Sequence, residues 1–194
     1  MKSCLEDARP LKLAPHDADI LSNFAEYLRR FKGDQNKAEA LLRQALASEP
    51  SNTYSLIFLA NILSERDEQT GEAESLFRRA TELSPRNSFA LKSYANFLSR
   101  VRKDQAEAAE MFRRAVEATP FDSDLINQFA LFAWKTLGDN ERAEELFKRA
   151  LSLSPDTALF QTTYAGFLRM VRKDESGAAE LEQRSRQAQN SPNG

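Results

Sequence analysis

Residues 93–120 read SYANFLSRVRKDQAEAAEMFRRAVEATP, and most of the chain repeats them with variation. Their closing residue belongs to a ladder, Pro15, Pro50, Pro85, Pro120 and Pro155, each 35 residues after the last. A second ladder, Ala25, Ala60, Ala95, Ala130 and Ala165, runs at the same period, and so does a third, Ala38, Ala73, Ala108, Ala143 and Ala178. Three columns in register over five units mark a repeat protein. The units are 16–50, 51–85, 86–120, 121–155 and 156–188, the last ending in a polar capping helix. Residues 1–15 read as a leader or cap, and 189–194 as a frayed tail.

Each unit predicts two helices. Two residues after each proline stands an N-cap type, Asp17, Asn52, Asn87, Asp122 or Thr157, whose side-chain oxygen can accept from an orphan backbone N–H. Leu91, Tyr94, Ala95 and Leu98 then recur at helical spacing. A short polar turn follows, with Asp34, Gln69, Asp104, Asp139 and Asp174 in one column as caps of the second helix. The second helices repeat a small residue, two large apolar ones and a small one, as in Ala73, Leu76, Phe77 and Ala80. Small residues let helices approach and large ones fill the gaps. Proline ends the pair. In the last unit the aromatic column Leu42, Phe77, Phe112, Phe147 becomes Glu182, and the following small column becomes Ser185. A terminal helix has no neighbour to cover it, so its outer face turns polar.

With 27 basic and 29 acidic residues the net charge is -2, which argues against a dedicated nucleic-acid or membrane-surface binder. The single cysteine, Cys4, has no partner, so a disulfide scaffold and a cysteine metal site are both excluded. No apolar run is long enough for a signal peptide or a membrane span. The expectation is a soluble cytoplasmic protein, with the nucleus as a second compartment.

Paired helices whose second member carries Ala73, Phe77, Ala80 and then Pro85 resemble the tetratricopeptide repeat. Leu59 and Ala60 in the first helix fit as well. The family's usual unit is one residue shorter, so the turn here carries an extra residue. Its usual glycine is alanine here, its tyrosine is mostly leucine, and its early tryptophan column reads Leu21, Leu56, Leu91, Ile126 and Gln161. The motif Phe112–Ala115 gives a second likeness, to the half-a-tetratricopeptide repeats of RNA-processing scaffolds. The resemblance implies an all-α, right-handed α-solenoid of five helix–turn–helix repeats.

Catalysis has little to stand on. The one histidine, His16, sits beside a cap with no evident partner, and no phosphate loop, zinc spacing or nucleophile motif is present. The basic pairs Arg78-Arg79, Arg113-Arg114 and Lys148-Arg149 read as a solvated face pairing with Glu74, Glu110 and Glu145. Their alternative is a stripe for RNA or an acidic partner. In the implied architecture the first helices line a concave groove. There the second unit presents Tyr54, Ile57, Asn61 and Ser64, and the third presents Phe89, Lys92, Asn96 and Ser99. The fourth adds Asn127, Leu131 and Trp134, the first and last Arg29 and Arg169. Amides can pair with a ligand's backbone and aromatics can anchor it. Chaperone-binding members of the family clamp a C-terminal carboxylate. Lys92 and Asn96 match the start of that pattern, but its cationic half falls on Leu159 and Thr163, which argues against this ligand.

The sequence thus leads to a non-catalytic adaptor that binds a peptide or partner helix in the groove, with no cofactor or metal. It is expected to be monomeric or part of a hetero-complex. Its alternatives are an RNA-processing scaffold and a regulatory subunit that lends a surface to a separate enzyme.

Overall fold

The structure is a computed structural model and describes residues 16–190. The leader, and positions 191–194 of the tail, lie outside the described residues. The fold is all-α, with ten α-helices and no strand among the described residues, two helices to each repeat. Two compact units divide the chain, one ending at Asp104 and the other beginning at Gln105. The first holds α1 (Ala18–Tyr27), α2 (Gln35–Ser48), α3 (Thr53–Leu63), α4 (Thr70–Leu83) and α5 (Ser88–Phe97). The second holds α6 (Gln105–Ala118), α7 (Ser123–Phe132), α8 (Asn140–Leu153), α9 (Ala158–Phe167) and α10 (Glu175–Asn190). In the first unit α1, α3 and α5, the leading helices of their repeats, also touch one another in sequence.

Capping explains most of the helix starts. Asp17, Asn52, Asn87 and Asp122 each accept from the backbone N–H three residues on. Thr157 has the extended cap backbone but makes no such bond. At the second helices Asp34, Asp139 and Asp174 cap in the same way. Gln69 does not; its longer side chain accepts instead from Arg66 at 3.1 Å.

The turns place the extra residue. Helices α1, α5, α7 and α9 each run on into a five-residue π-turn, at Leu28–Lys32, Leu98–Arg102, Ala133–Leu137 and Leu168–Arg172. A left-handed residue closes each turn and returns its N–H to the carbonyl five residues back. That residue is Gly33 (φ 68°), Lys103 (φ 59°), Gly138 (φ 70°) or Lys173 (φ 59°). A π-turn holds one more residue than an α-turn, and this absorbs the lengthened repeat. Helix α3 departs from the rule and passes through a short 3₁₀ turn, Asp67–Gln69.

Both alanine ladders are completely buried, from Ala25 to Ala165 and from Ala38 to Ala178. Between repeats the large residues meet. Phe77 of α4 lies against Tyr94 and Phe97 of α5, with the Phe97 ring 5.2 Å away. Phe112 meets Phe129 and Phe132, and Phe147 meets Tyr164 and Phe167, in the same manner. These three joints carry most of the aromatic core.

Ion pairs clasp two of these joints, and the α2/α3 joint, from outside. Arg66 reaches Glu39 at 2.7 Å, Arg102 reaches Glu74 at 2.9 Å and Arg172 reaches Glu144 at 2.6 Å. The basic pairs of the second helices are largely spent within the fold. Arg78 pairs with Glu74, Arg113 with Glu110, and Lys148 with Glu144, one position before the expected Glu145. Arg79 and Arg149 donate to the carbonyls of Pro50 and Pro120, which ties each second helix to the end of the preceding repeat.

Helix α10 buries Ala178, Leu181 and Ser185 against α9 and turns charge outward. The Ser185 hydroxyl shares a 3.1 Å hydrogen bond with Thr162, and Glu182 accepts from Arg169 at 2.7 Å. The helix continues through Asn190, past the residue where the sequence places the tail. No helix among the described residues is long and apolar enough to cross a membrane.

Candidate functional site

A 3.6-residue repeat sets which side chains share a helix face. Starting from Tyr54 on α3, its multiples fall on Phe58, Asn61 and Glu65; starting from Phe89 on α5, they fall on Ser93, Asn96 and Arg100. These two stripes lie side by side in the first unit.

At the N-terminal ends of the stripes the surface is aromatic. Tyr54 is 49% exposed, and its ring lies 6.2 Å from Phe58 and 6.1 Å from Phe89. Phe58 and Phe89 meet edge to face at 5.9 Å. The Lys92 ammonium sits 5.8 Å from the Phe89 ring, a cation–π distance.

Toward the C-terminal ends the surface sinks into an open cavity of about 440 Å³. Asn61, Asn96 and Ser93 line it, with Phe97 and Val101 as apolar wall and Arg29, Arg100 and Glu65 as charge. Arg29 is already engaged. Two 2.8 Å hydrogen bonds hold it to Glu26, and Glu65 lies 4.0 Å away. The bonds to Glu26 push its pKa further up, against the opposing effect of burial. Glu65 in turn accepts from Gln35 at 2.6 Å. Arg100 has no ion-pair partner among the described residues, and the side-chain amides of Asn61 and Asn96 make no hydrogen bond there. An amide offers a donor and an acceptor together, which is what an extended backbone presents in return.

The residues singled out in the sequence separate into three groups. Tyr54, Asn61, Phe89, Lys92 and Asn96 come together on the accessible face of the first unit, with Arg29 at its margin. Ile57 is 0% exposed and lies beneath that face. The others belong to the second unit. Asn127 is 2% exposed and accepts from the Thr163 hydroxyl at 2.9 Å. Trp134 is half-buried and packs edge-on against Phe147 and Phe167, with Lys135 3.3 Å from its ring. Arg169 is held by Glu175 and Glu182. Leu131 is half-buried. Leu159 of α9 and Met170 of the π-turn after it are exposed, at 59% and 60%. Glu65, Ser93 and Arg100 were not singled out. Spacing alone could have found them, because successive turns round to steps of 4, 7 and 11 and not 3, 7 and 10.

Among the described residues no three His, Cys, Asp or Glu side chains are grouped to hold a metal ion. His16 is exposed.

Two family models match the chain. One, described as TmcB, TPR repeats, covers residues 50–124, and the other, described as tetratricopeptide repeat, covers residues 125–157. Together they span more than half of it. No curated protein matches by sequence. Among solved structures, PilF of Pseudomonas aeruginosa is 23% identical with a TM-score of 0.74, over 88% of this chain and 76% of that one. MamA of Desulfovibrio magneticus is 18% identical with a TM-score of 0.71, over 91% and 97%. YrrB, described as a TPR protein with an unusual peptide-binding site, is 19% identical with a TM-score of 0.62, over 96% and 93%. At these identities the likeness is one of fold.

Proposed function

This chain is a tetratricopeptide repeat protein, and we propose that it is a non-catalytic adaptor holding a peptide or partner helix on the face formed by α3 and α5. Such repeats generally serve as interaction modules, and the similar YrrB is described by its peptide-binding site. The observation that carries the reading is the pairing of unsatisfied amides with partly exposed rings. Asn61 and Asn96 stand free over a cavity, while Tyr54, Phe58 and Phe89 form an apolar shelf on the same two helices. A fold that needed these groups for its own stability would have buried or bonded them.

The RNA-scaffold reading draws on the basic pairs of the second helices. Those cations are matched by Glu74, Glu110 and Glu144, so no observation favours it.

The test is a pull-down from nuclease-treated lysate with wild type and with Asn61→Ala/Asn96→Ala. Both side chains are outside the core, so the double variant is expected to keep the wild-type circular dichroism. Loss of a protein partner by the folded variant supports the reading. An unchanged set of partners removes it.

A further inference from the structure

The face described above has two unlike ends. One is the ring shelf of Tyr54, Phe58 and Phe89. The other is the cavity, where the charges are unevenly paired. Arg29 is neutralised by Glu26 and lies near Glu65, whereas Arg100 is exposed and unpaired among the described residues. Guanidinium presents a planar fork that fits a carboxylate with two parallel hydrogen bonds. The Asn96 amide, one helical turn before Arg100, is placed to bond the chain beside that carboxylate.

The distance between the ends sets the spacing. Phe89 and Arg100 are eleven residues apart on one continuous helix and its π-turn. At 1.5 Å of rise per residue this is about 16 Å. An extended chain covers that length in about five residues.

We propose that the occupant of this face is an extended, internal peptide segment with two anchors. An aromatic or large aliphatic side chain rests on the Tyr54–Phe58–Phe89 shelf, and an Asp or Glu side chain about five residues away pairs with Arg100. The amides of Asn61 and Asn96 hold the backbone between them. The inference rests on the groove reading and adds the ligand's chemistry to it. The carboxylate is that of a side chain, so a free C-terminus is not required.

The experiment is selection of a random twelve-residue phage library, displayed with its C-terminus fused to coat protein, on the full chain and on Arg100→Glu. The full chain is expected to enrich peptides with an acidic residue four to six positions from an aromatic or aliphatic one. Arg100→Glu is expected to lose the acidic preference and keep the apolar one. The leading peptide, labelled for fluorescence anisotropy, should weaken at least tenfold on Arg100→Glu and on changing its own acid to the amide. Arg100→Lys should recover part of the loss. Enriched peptides that depend on Asn61 and Asn96 but carry no acid overturn this inference and leave the groove reading standing. Enrichment of nothing over an unrelated control protein overturns both. Arg100 is a surface side chain, so an unchanged thermal melt separates a binding defect from a folding one.

Discussion

Phe112 on α6 and Phe129 on α7 stack with ring centroids 5.5 Å apart and planes 10° from parallel. Phe77 with Tyr94 and Phe147 with Tyr164 repeat the arrangement, at 5.9 Å and 5.6 Å. Each pair crosses from the second helix of one repeat to the first helix of the next, and each phenylalanine is essentially buried. Stacked rings add to the burial of their area. Phe112→Ala is therefore expected to cost about 3–5 kcal/mol. Phe112→Leu, which copies Leu42 of the first repeat, should cost well under half as much. Urea denaturation followed by circular dichroism measures both. A small loss in the alanine variant would show that the joint does not organise the interface.

The left-handed lysines store strain that the glycines at equivalent positions avoid. Lys103 and Lys173 both have φ 59°. A side chain costs roughly 1–2 kcal/mol in that region, while glycine gives back part of the gain through its freer unfolded chain. Lys173→Gly is expected to raise stability by about 0.5–1 kcal/mol, and Gly138→Ala to lower it by a similar amount. Thermal melts of the two variants should move in opposite directions.

Acid should weaken the clasp at Glu144. The hydrogen bond from Lys148, followed by that from Arg172 and opposed by burial, holds this carboxyl below the usual carboxylate range. A depressed folded-state pKa gives stability that is present above the unfolded value, about 4.3, and is lost as pH falls through the folded one. Wild type should lose on the order of 0.5 kcal/mol more than Glu144→Gln between pH 6 and pH 3, roughly the scale of a partly exposed pair. Equal acid limbs for the two proteins would assign the pair no weight.

Alkali should act at the same place with opposite sign. Burial, and then the charge of Glu144, push the Tyr164 phenol up to about 12. Its folded pKa exceeds the unfolded value of about 10, so its contribution is complete below that value and is lost as pH rises through it toward the folded one. Absorbance titration is expected to show a late phenol ionisation near 12 that Tyr164→Phe removes.

Trp134 is a structural reporter of the second unit. Its ring is wedged against Phe147 and Phe167, and Trp134→Ala should cost about 2 kcal/mol, less than for a fully buried tryptophan. Gly166 lies in mid-helix with a Cβ site 3.8 Å from the Trp134 ring, an ordinary contact distance. Gly166→Ala is thus expected to gain up to about 1 kcal/mol. Trp134 is the single tryptophan, so its emission should follow unfolding of its own unit.

The periodic parts of the fold were open to reading from the sequence. Ala25 through Ala165 and Ala38 through Ala178 point inward because only a residue that small fits where helices cross. The column of Phe77, Phe112 and Phe147 was equally visible, but its partners were not, since an inter-repeat contact leaves no mark at a fixed spacing within one unit. The π-turns were hidden for a related reason. Gly33 and Gly138 advertise a left-handed turn, whereas Lys103 and Lys173 occupy the same conformation without the residue that favours it. On the α3–α5 face Asn61, Ser64 and Asn96 line the cavity, while a spacing of three residues brought in the buried Ile57 and passed over Arg100.

The period of the letters and the period of the packing are half a repeat out of phase. Each aromatic joint takes Phe77, Phe112 or Phe147 from one sequence unit and its partners from the next. The boundary between the compact units, at Asp104 and Gln105, falls in the middle of a sequence unit and cuts none of these joints. A fragment beginning at Gln105 inherits Phe112 with Phe129 and Phe132, while one beginning at Phe121 strips the cover from two rings. Whoever dissects or splices this chain should therefore cut between the two helices of a repeat and spare the proline that invites the knife.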